Sequence, residues 1–315
     1  MQRTIPLLGL NRLKRRKRLS RLALQEALAA YGFLTPFLII LGVFTLIATA
    51  AAFYLSFFYV DFGFTQPIFT GLRNYQLVWY DLTHNGDYFV SIINAVKYTV
   101  FVVVLQTVLA LALALLLNSK VRGLGIFRTS FYLPALTSSV AISLIFLWLY
   151  VPQGPINSVL SIIHIQGPNW LGDPNTALWS IGLLNIWTTA PTFMLFYLAA
   201  LQDIPDSLIE AAKVDGASNL RIVWSILIPL LRPMTFAVVA LGSIGAMQLF
   251  DQVYLMAGAQ GGPLRSTLTP VLEIYNTAFQ SSLMGLACAE AVILFVVIFS
   301  FTMLQKRYID TNIEY

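Results

Sequence analysis

The sequence has little charge, almost no cysteine, and none of the residue constellations that carry chemistry. Lys, Arg, Asp and Glu make up 10% of its 315 residues, against about a quarter in an ordinary globular domain. Too few charged groups are present to clothe a water-facing surface of this size. The single cysteine, Cys288, excludes an intrachain disulfide and suggests no metal framework, so it reads as a small apolar packing residue. His84 and His164 are isolated in expected outer loops without a ligand cluster, and no metal site is expected. The sequence contains no Gly-x-x-x-x-Gly-Lys-Ser/Thr phosphate loop, no Gly-x-Ser-x-Gly elbow and no His-Glu-x-x-His helix. No catalytic residue and no cofactor bound by this chain are therefore expected, and energy for any pumping must come from a partner.

What is present is apolar length. Hydrophobic residues make up 58% of the chain and the mean hydropathy is +0.76. Runs such as Phe33 to Phe58 and Ala291 to Met303 with their flanks can cross a hydrocarbon core of about 30 Å as helix. Six spans are expected near 33–58, 91–118, 130–151, 177–201, 233–257 and 283–305, giving an all-α integral membrane protein. Of the 19 basic residues, all but Arg73, Lys97 and Arg265 precede the first span or follow the second, fourth or sixth. Positive residues are retained on the cytoplasmic side, so both termini are expected there. The organisation expected is a basic N-terminal segment over 1–30, a membrane domain over 31–307 and a cytoplasmic tail over 308–315. The cluster Lys14 to Arg18 would suit a nucleic-acid arm in another setting; beside a span it reads as an orientation signal at anionic headgroups, and no nucleic-acid partner is expected. Ala48 to Ala52 offers small residues of the kind found at signal cleavage sites, but the apolar run before it is too long for a usual signal core, which favours an uncleaved first span.

The informative stretch lies between the fourth and fifth spans, over 203–229, on the side assigned as cytoplasmic. Pro205 and Asp206 suit a helix start, Leu208 to Val214 are mostly good helix formers, and Gly216 permits the left-handed turn that stops the helix. A second helix can begin with Ser218 or Asn219 as its cap, and Pro229 with Pro233 interrupts it where the chain enters the fifth span. The apolar residues of the first helix, Leu208, Ile209 and Ala212, need a surface to bury against, since so short a helix is marginal alone.

Glu210-Ala211-Ala212, Asp215-Gly216-Ala217 and Ile226-x-Ile228-Pro229 resemble the "EAA" loop of permease subunits of binding-protein-dependent ABC importers, with Ile228 where leucine is usual. Leu133-Pro-Ala-Leu-Thr-Ser-Ser-Val-Ala, Gly154-Pro-Ile-Asn157, Asn185-Ile-Trp187, Phe250-Asp251 and Gly261-Gly-Pro263 are similar, in order, to the carbohydrate branch of that family, the maltose and glycerol-phosphate type permeases. The resemblance covers roughly residues 30–307. It implies the type I importer permease fold and a bacterial or archaeal-type inner-membrane location. It also implies a second homologous permease, a dimer of ATPase subunits that carry ATP and Mg, and an extracytoplasmic solute-binding protein. Within the loop, it implies that Leu208, Ile209, Glu210, Ala211, Ala212, Asp215 and Gly216 dock into and couple to the ATPase.

Polar groups inside spans need their own account, because an ionisable side chain there costs on the order of 3 kcal/mol. Asp251 and Glu290 are each expected roughly 9–10 Å inside the outer ends of the fifth and sixth spans, where they could line one chamber; a helix-to-helix bond for Glu290 and a wet interface for Asp251 is the competing reading. Asn185, Thr188 and Thr189 come early in the fourth span and Ser138 and Ser139 early in the third. The resemblance implies solute contacts for these stretches and, less securely, for Gln248. Amides and hydroxyls donate and accept without demanding a counter-charge, which suits a neutral polyhydroxy solute. Trp187 suits stacking on a sugar face or anchoring at the interface. The solute classes expected are a sugar, glycoside or polyol, with glycerol-3-phosphate as the alternative. A secondary transporter would need inverted repeats around an ion site, and neither these nor the constellation of a membrane enzyme is visible.

Overall fold

The computed structural model describes residues 21–61, 63, 66–118 and 124–309. The basic segment up to residue 20, Lys120 and Arg122, and the tail from residue 310 lie outside the described residues. The chain divides into two compact units, Met1–Ala51 and Ala52–Tyr315. In the first, helix α1 (Arg21–Ile40) passes into a wider-wound segment, Leu41–Ile47, and on into α2 (Ala48–Leu55). None of residues 25–51 is buried within the chain, as befits an apolar helix whose solvent is lipid.

The second unit holds the remaining crossings. After a two-residue hairpin, β1 (Phe58–Tyr59) with β2 (Ile68–Phe69) in antiparallel register, come α3 (Arg73–Thr83) and the long α4 (Asp87–Leu117). Next in the chain are α5 (Leu124–Leu136), α6 (Ser139–Leu149), the short α7 (Pro155–Ile162) and α8 (Ala177–Gln202). The expected cytoplasmic helix is α9 (Asp206–Val214). Beyond it, α10 (Asn219–Ile222), a wider turn over Val223–Leu227 and α11 (Ile228–Leu230) lead into α12 (Arg232–Met247). The chain closes with α13 (Asp251–Ala257), α14 (Pro270–Tyr275) and α15 (Met284–Ile309).

Four stretches, Gln25–Leu55, Asp87–Leu117, Ala177–Gln202 and Met284–Arg307, are long and apolar enough to cross a bilayer unbroken, and two bent pairs make six when each counts as one crossing. The first bend departs from the sequence reading, whereas the second falls where Pro229 and Pro233 are expected to interrupt the chain entering the fifth span. The third span, expected straight over 130–151, turns by 92° between α5 and α6. Pro134 removes one helical donor there, and Ser138 is extended with φ −55° and ψ 135°. The fifth span, expected over 233–257, turns by 68° at Leu231 and stops at Met247. Gln248 to Phe250 are non-helical, and Asp251 starts a separate short helix. Asp251 is thus an exposed residue at the head of a separate short helix and not part of a continuous span.

Small residues set the spacing of the helix pair at the centre. Ala95, Ala110 and Ala114 of α4, with Ala190 of α8, are fully or almost fully buried, and Gly182 of α8 lies against the Phe101 ring, 3.0 Å from where a β-carbon would stand. Without a hydrophobic drive between helices in lipid, such close backbone approach supplies the packing attraction. Two apolar clusters build on this pair. One gathers Tyr98, Val102, Ile142, Ile181 and Leu184 near the outer ends; the other gathers Ala110, Met194, Tyr197, Leu201, Ile222 and Leu231 near α9.

The hairpin is anchored by Asn74 of α3, whose buried amide donates to the carbonyls of Ser56 and Phe58, both at 2.9 Å. Opposite, a β-carbon on Gly285 would lie 1.9 Å from the Phe58 carbonyl oxygen, whereas one on Gly245 would meet nothing within 4 Å. Gly285→Ala is therefore expected to lower the thermal unfolding temperature of the purified protein by several degrees, while Gly245→Ala leaves it unchanged or slightly raised. Scanning fluorimetry of both variants in detergent checks the pair.

Candidate functional site

Helix α8 presents one polar stripe. Asn185, Thr188, Thr189 and Thr192 follow the i, i+3, i+4, i+7 spacing that places side chains on a single face. The stripe borders a cavity of about 280 Å³ lined by Pro134, Thr137 and Ser139 from the α5–α6 break, by Thr188, Thr189 and Thr192, and by Gln252 of α13. The break thus has a spatial use, since it brings the short polar residues 137–139 up to the stripe. Asn185 is half-buried and joins the same face, its amide donating to Gln252 Oε1 at 3.2 Å.

The hydroxyls are held by their own helix. Thr188 donates to the Asn185 carbonyl at 3.0 Å, and Thr189 shares its proton between that carbonyl and Gln106 Oε1 of α4, each at 2.7 Å. A threonine back-bonded in this way still offers lone pairs as acceptors. The lining residues carry no formal charge, so the cavity provides amide and hydroxyl partners on walls of Pro134, Ile142 and Phe193.

Of the residues singled out from sequence, Thr188, Thr189 and Ser139 line this cavity, and Asn185 stands behind its lining, bonded to Gln252. Ser138 is exposed at the head of α6, beside Ser139. Gln248 instead borders a separate apolar cavity with Ile274, Leu294 and Phe295. Asp251 is exposed. Glu290 is 5% exposed, and its Oε1 accepts from Thr277 at 3.3 Å. The single chamber shared by Asp251 and Glu290 is therefore not formed around this cavity, since neither residue lines it. Glu290 follows the helix-to-helix alternative, because Thr277 belongs to the segment after α14. Nearby, burial pushes the Glu273 carboxyl upward and the charge of Asp81 adds to it, against hydrogen bonds from Asn276 and Thr277 and the charge of Arg265. Trp187 packs its ring at a tilt against Phe146 and stays half exposed.

Gln252 and Thr192 were not singled out from the sequence. Thr192 was within reach of the helical spacing from Asn185. Gln252 was not, because its place depends on the break that separates α13 from α12.

Helix α9 is built as its residues direct. Pro205 caps α9 with extended geometry, Asp206 occupies the first turn and Lys213 the last, each complementing the helix dipole. Gly216 takes φ +79°, and its amide and that of Ala217 close the end on the carbonyls of Lys213 and Ala212. Ser218 caps α10 by accepting from the Arg221 amide at 3.3 Å. The apolar residues of α9 do not share one destination, which corrects the sequence reading. Ile209 and Ala212 pack on the chain's own inner cluster, while Leu208, Glu210, Ala211 and Asp215 are exposed.

Comparison with known proteins agrees with this architecture. The family described as binding-protein-dependent transport system inner membrane component matches residues 26–313. A probable ABC transporter permease of Bacillus subtilis, YesP, is 35% identical over 89% of this chain and 89% of its own. The trehalose/maltose transport system permease MalF of Thermococcus litoralis is 32% identical over 91% of this chain and 96% of its own. The sn-glycerol-3-phosphate transport system permease UgpA of Agrobacterium fabrum is 31% identical over 90% and 96%. Among solved structures, a chain of a bacterial ABC transporter involved in import of the acidic polysaccharide alginate superposes with a TM-score of 0.74 at 20% identity, over 91% of this chain and 98% of that one. With four to six apolar stretches able to cross a membrane and this match across nearly its whole length, the chain belongs to the binding-protein-dependent ABC transporter permeases, inner-membrane transport subunits and not enzymes.

Proposed function

We propose that this subunit forms part of the translocation pathway of an importer for a neutral sugar, glycoside or polyol, with the cavity beside α8 as its solute-contacting wall. The observation that carries the reading is the lining itself: Ser139, Thr188, Thr189, Thr192 and Gln252 offer hydroxyls and an amide, and no Lys or Arg takes part. A phosphate ester asks for cationic, charge-assisted donors, so glycerol-3-phosphate, the solute named for one relative, is the weaker fit. The sugar-transport names of other relatives, trehalose/maltose and lactose among them, support the same class.

The importer reading brings partners with it. A second permease of the same family would complete the pathway, and an external solute-binding protein would deliver the solute. A pair of ATPase subunits holding ATP and Mg would close against α9. Both termini lie on the cytoplasmic side in this arrangement, in keeping with the distribution of Lys and Arg. The outward face of α9, with Leu208 and Val214 at 45% and 88% exposure, supplies the docking surface, while Ile209 and Ala212 tie the helix to the body of the permease.

Three outcomes test this. In proteoliposomes holding the complete importer, radiolabelled maltose, trehalose and lactose are expected to compete for uptake more effectively than glycerol-3-phosphate, and exclusive uptake of the phosphate ester would overturn the solute class. Asn185→Ala removes about one hydrogen bond, worth on the order of 1 kcal/mol, and is expected to raise the half-saturating solute concentration roughly fivefold without loss of assembly. An unchanged concentration dependence would place the contacts on the other permease. Gly216→Pro forbids the left-handed turn and is expected to abolish ATP-driven uptake while solute binding by the external protein persists. Cysteines at 208, 211 and 215 should cross-link to the ATPase and those at 209 and 212 should not. Wild-type uptake by the proline variant, or the reverse cross-linking pattern, would refute the coupling role of α9.

A further inference from the structure

Gln106 stands one layer behind the cavity wall. It belongs to α4, is 1% exposed, and is absent from the cavity lining, so no solute in the cavity can reach it. Its Oε1 nevertheless takes the proton of a residue that does line the cavity, the Thr189 hydroxyl at 2.7 Å. A buried amide in a membrane span is costly unless it is satisfied. Yet Gln106 Nε2 has no acceptor among the described residues. Leucine would fill much the same volume without that penalty, and packing alone does not explain the amide.

The space for it is also specific. A β-carbon on Gly242 of α12 would stand 2.2 Å from Gln106 Nε2, and the remaining near atoms, Gln106 Cδ at 3.5 Å and Val103 Cγ2 at 3.6 Å, are ordinary contacts. The bare α-carbon of Gly242 is therefore a notch that receives one end of the amide while the other end holds Thr189. Three helices meet through this single side chain. On α8 the Thr189 hydroxyl is shared with the Asn185 carbonyl at 2.7 Å, and Asn185 in turn donates to Gln252 at 3.2 Å. The chain of polar contacts thus runs from α4 through α8 to α13, with its α4 end seated against the notch on α12.

We propose that Gln106 is a positioning residue for solute recognition: wedged against Gly242, it fixes the rotamer of Thr189, so that this hydroxyl meets the solute as an acceptor with its proton already committed. Without that partner the hydroxyl keeps only its bond to the Asn185 carbonyl on its own helix, and the cavity wall loses the restraint from α4 that narrows the staggered rotamers of this acceptor. The inference rests on the reading of this cavity as the solute pathway.

The test is uptake of radiolabelled maltose, trehalose or lactose, whichever saturates, by the complete importer in proteoliposomes. Gln106→Leu is expected to raise KM several-fold with Vmax changed less than twofold, and Thr189→Val to do the same. The double variant should be no worse than Thr189→Val alone, because both changes remove one function. Gly242→Ala, which displaces the amide, should reproduce the KM effect in the wild-type background and have none beyond that of Gln106→Ala when the amide is gone. Should Gln106→Leu fail to assemble, the Gly242→Ala comparison decides alone. Multiplicative losses in the double variant, or an equal penalty of Gly242→Ala with and without Gln106, would overturn the proposal and leave Gly242 a packing residue. A raised KM in Asn185→Ala with none in Gln106→Leu rejects the positioning role and spares the pathway, whereas unchanged KM in both Asn185→Ala and Thr189→Val rejects the pathway reading itself.

Discussion

Helices α4 and α8 lie against one another over much of their length because Ala95, Ala110, Ala114, Gly182 and Ala190 keep their facing surfaces low. In lipid, where burial of apolar area contributes little between helices, such backbone proximity supplies dispersion contacts that hold a bundle together. Both ends of the membrane domain lean on that pair. Its inner end carries the cluster on which α9 rests, its outer end carries the cluster that seats α6 and α13, and α8 alone bears the polar stripe from Asn185 to Thr192.

The stripe and the cytoplasmic helix are linked through this same helix. From Thr189 to Leu201 is a continuous α8, roughly 18 Å at 1.5 Å per residue, and Leu201 shares its cluster with Ile209 and Ala212 of α9. Interiors packed in this way deform little and shift as bodies. In the proposed importer, a displacement of α9 would reach the cavity wall along α8 past Pro191, with no separate wire between the two ends.

Much of this architecture was legible in the sequence, for reasons that differ by feature. Straight spans announce themselves by apolar length, and α4, α8 and α15 lie where hydropathy puts them. The left-handed Gly216 and the Ser218 cap are local chemistry, and local chemistry is written in adjacent residues. What escaped was set by tertiary context. Pro134 and Ser138 did not disclose a 92° turn, since a proline in a membrane helix is often absorbed without a break. A fifth span taken as continuous hides the break that makes Asp251 a helix start, and with it the place of Gln252, one residue on, at the cavity. The division of α9 between an inward and an outward face was likewise invisible, because apolar residues announce a need for burial without naming the surface that meets it.

The two interruptions, at Thr137–Ser138 and at Gln248–Phe250, have a consequence for the state of the cavity itself. Backbone released from helical pairing at membrane depth must be covered by protein or reached by water, and the first of these breaks borders the cavity through Thr137 and Ser139. If this cavity is the proposed pathway, a solute there would exchange hydrogen bonds with water for hydrogen bonds of similar strength with hydroxyls and an amide, with a small net gain. On the proposed reading, such a wall would hold its cargo loosely, and tight discrimination among solutes would fall to the solute-binding protein outside the membrane.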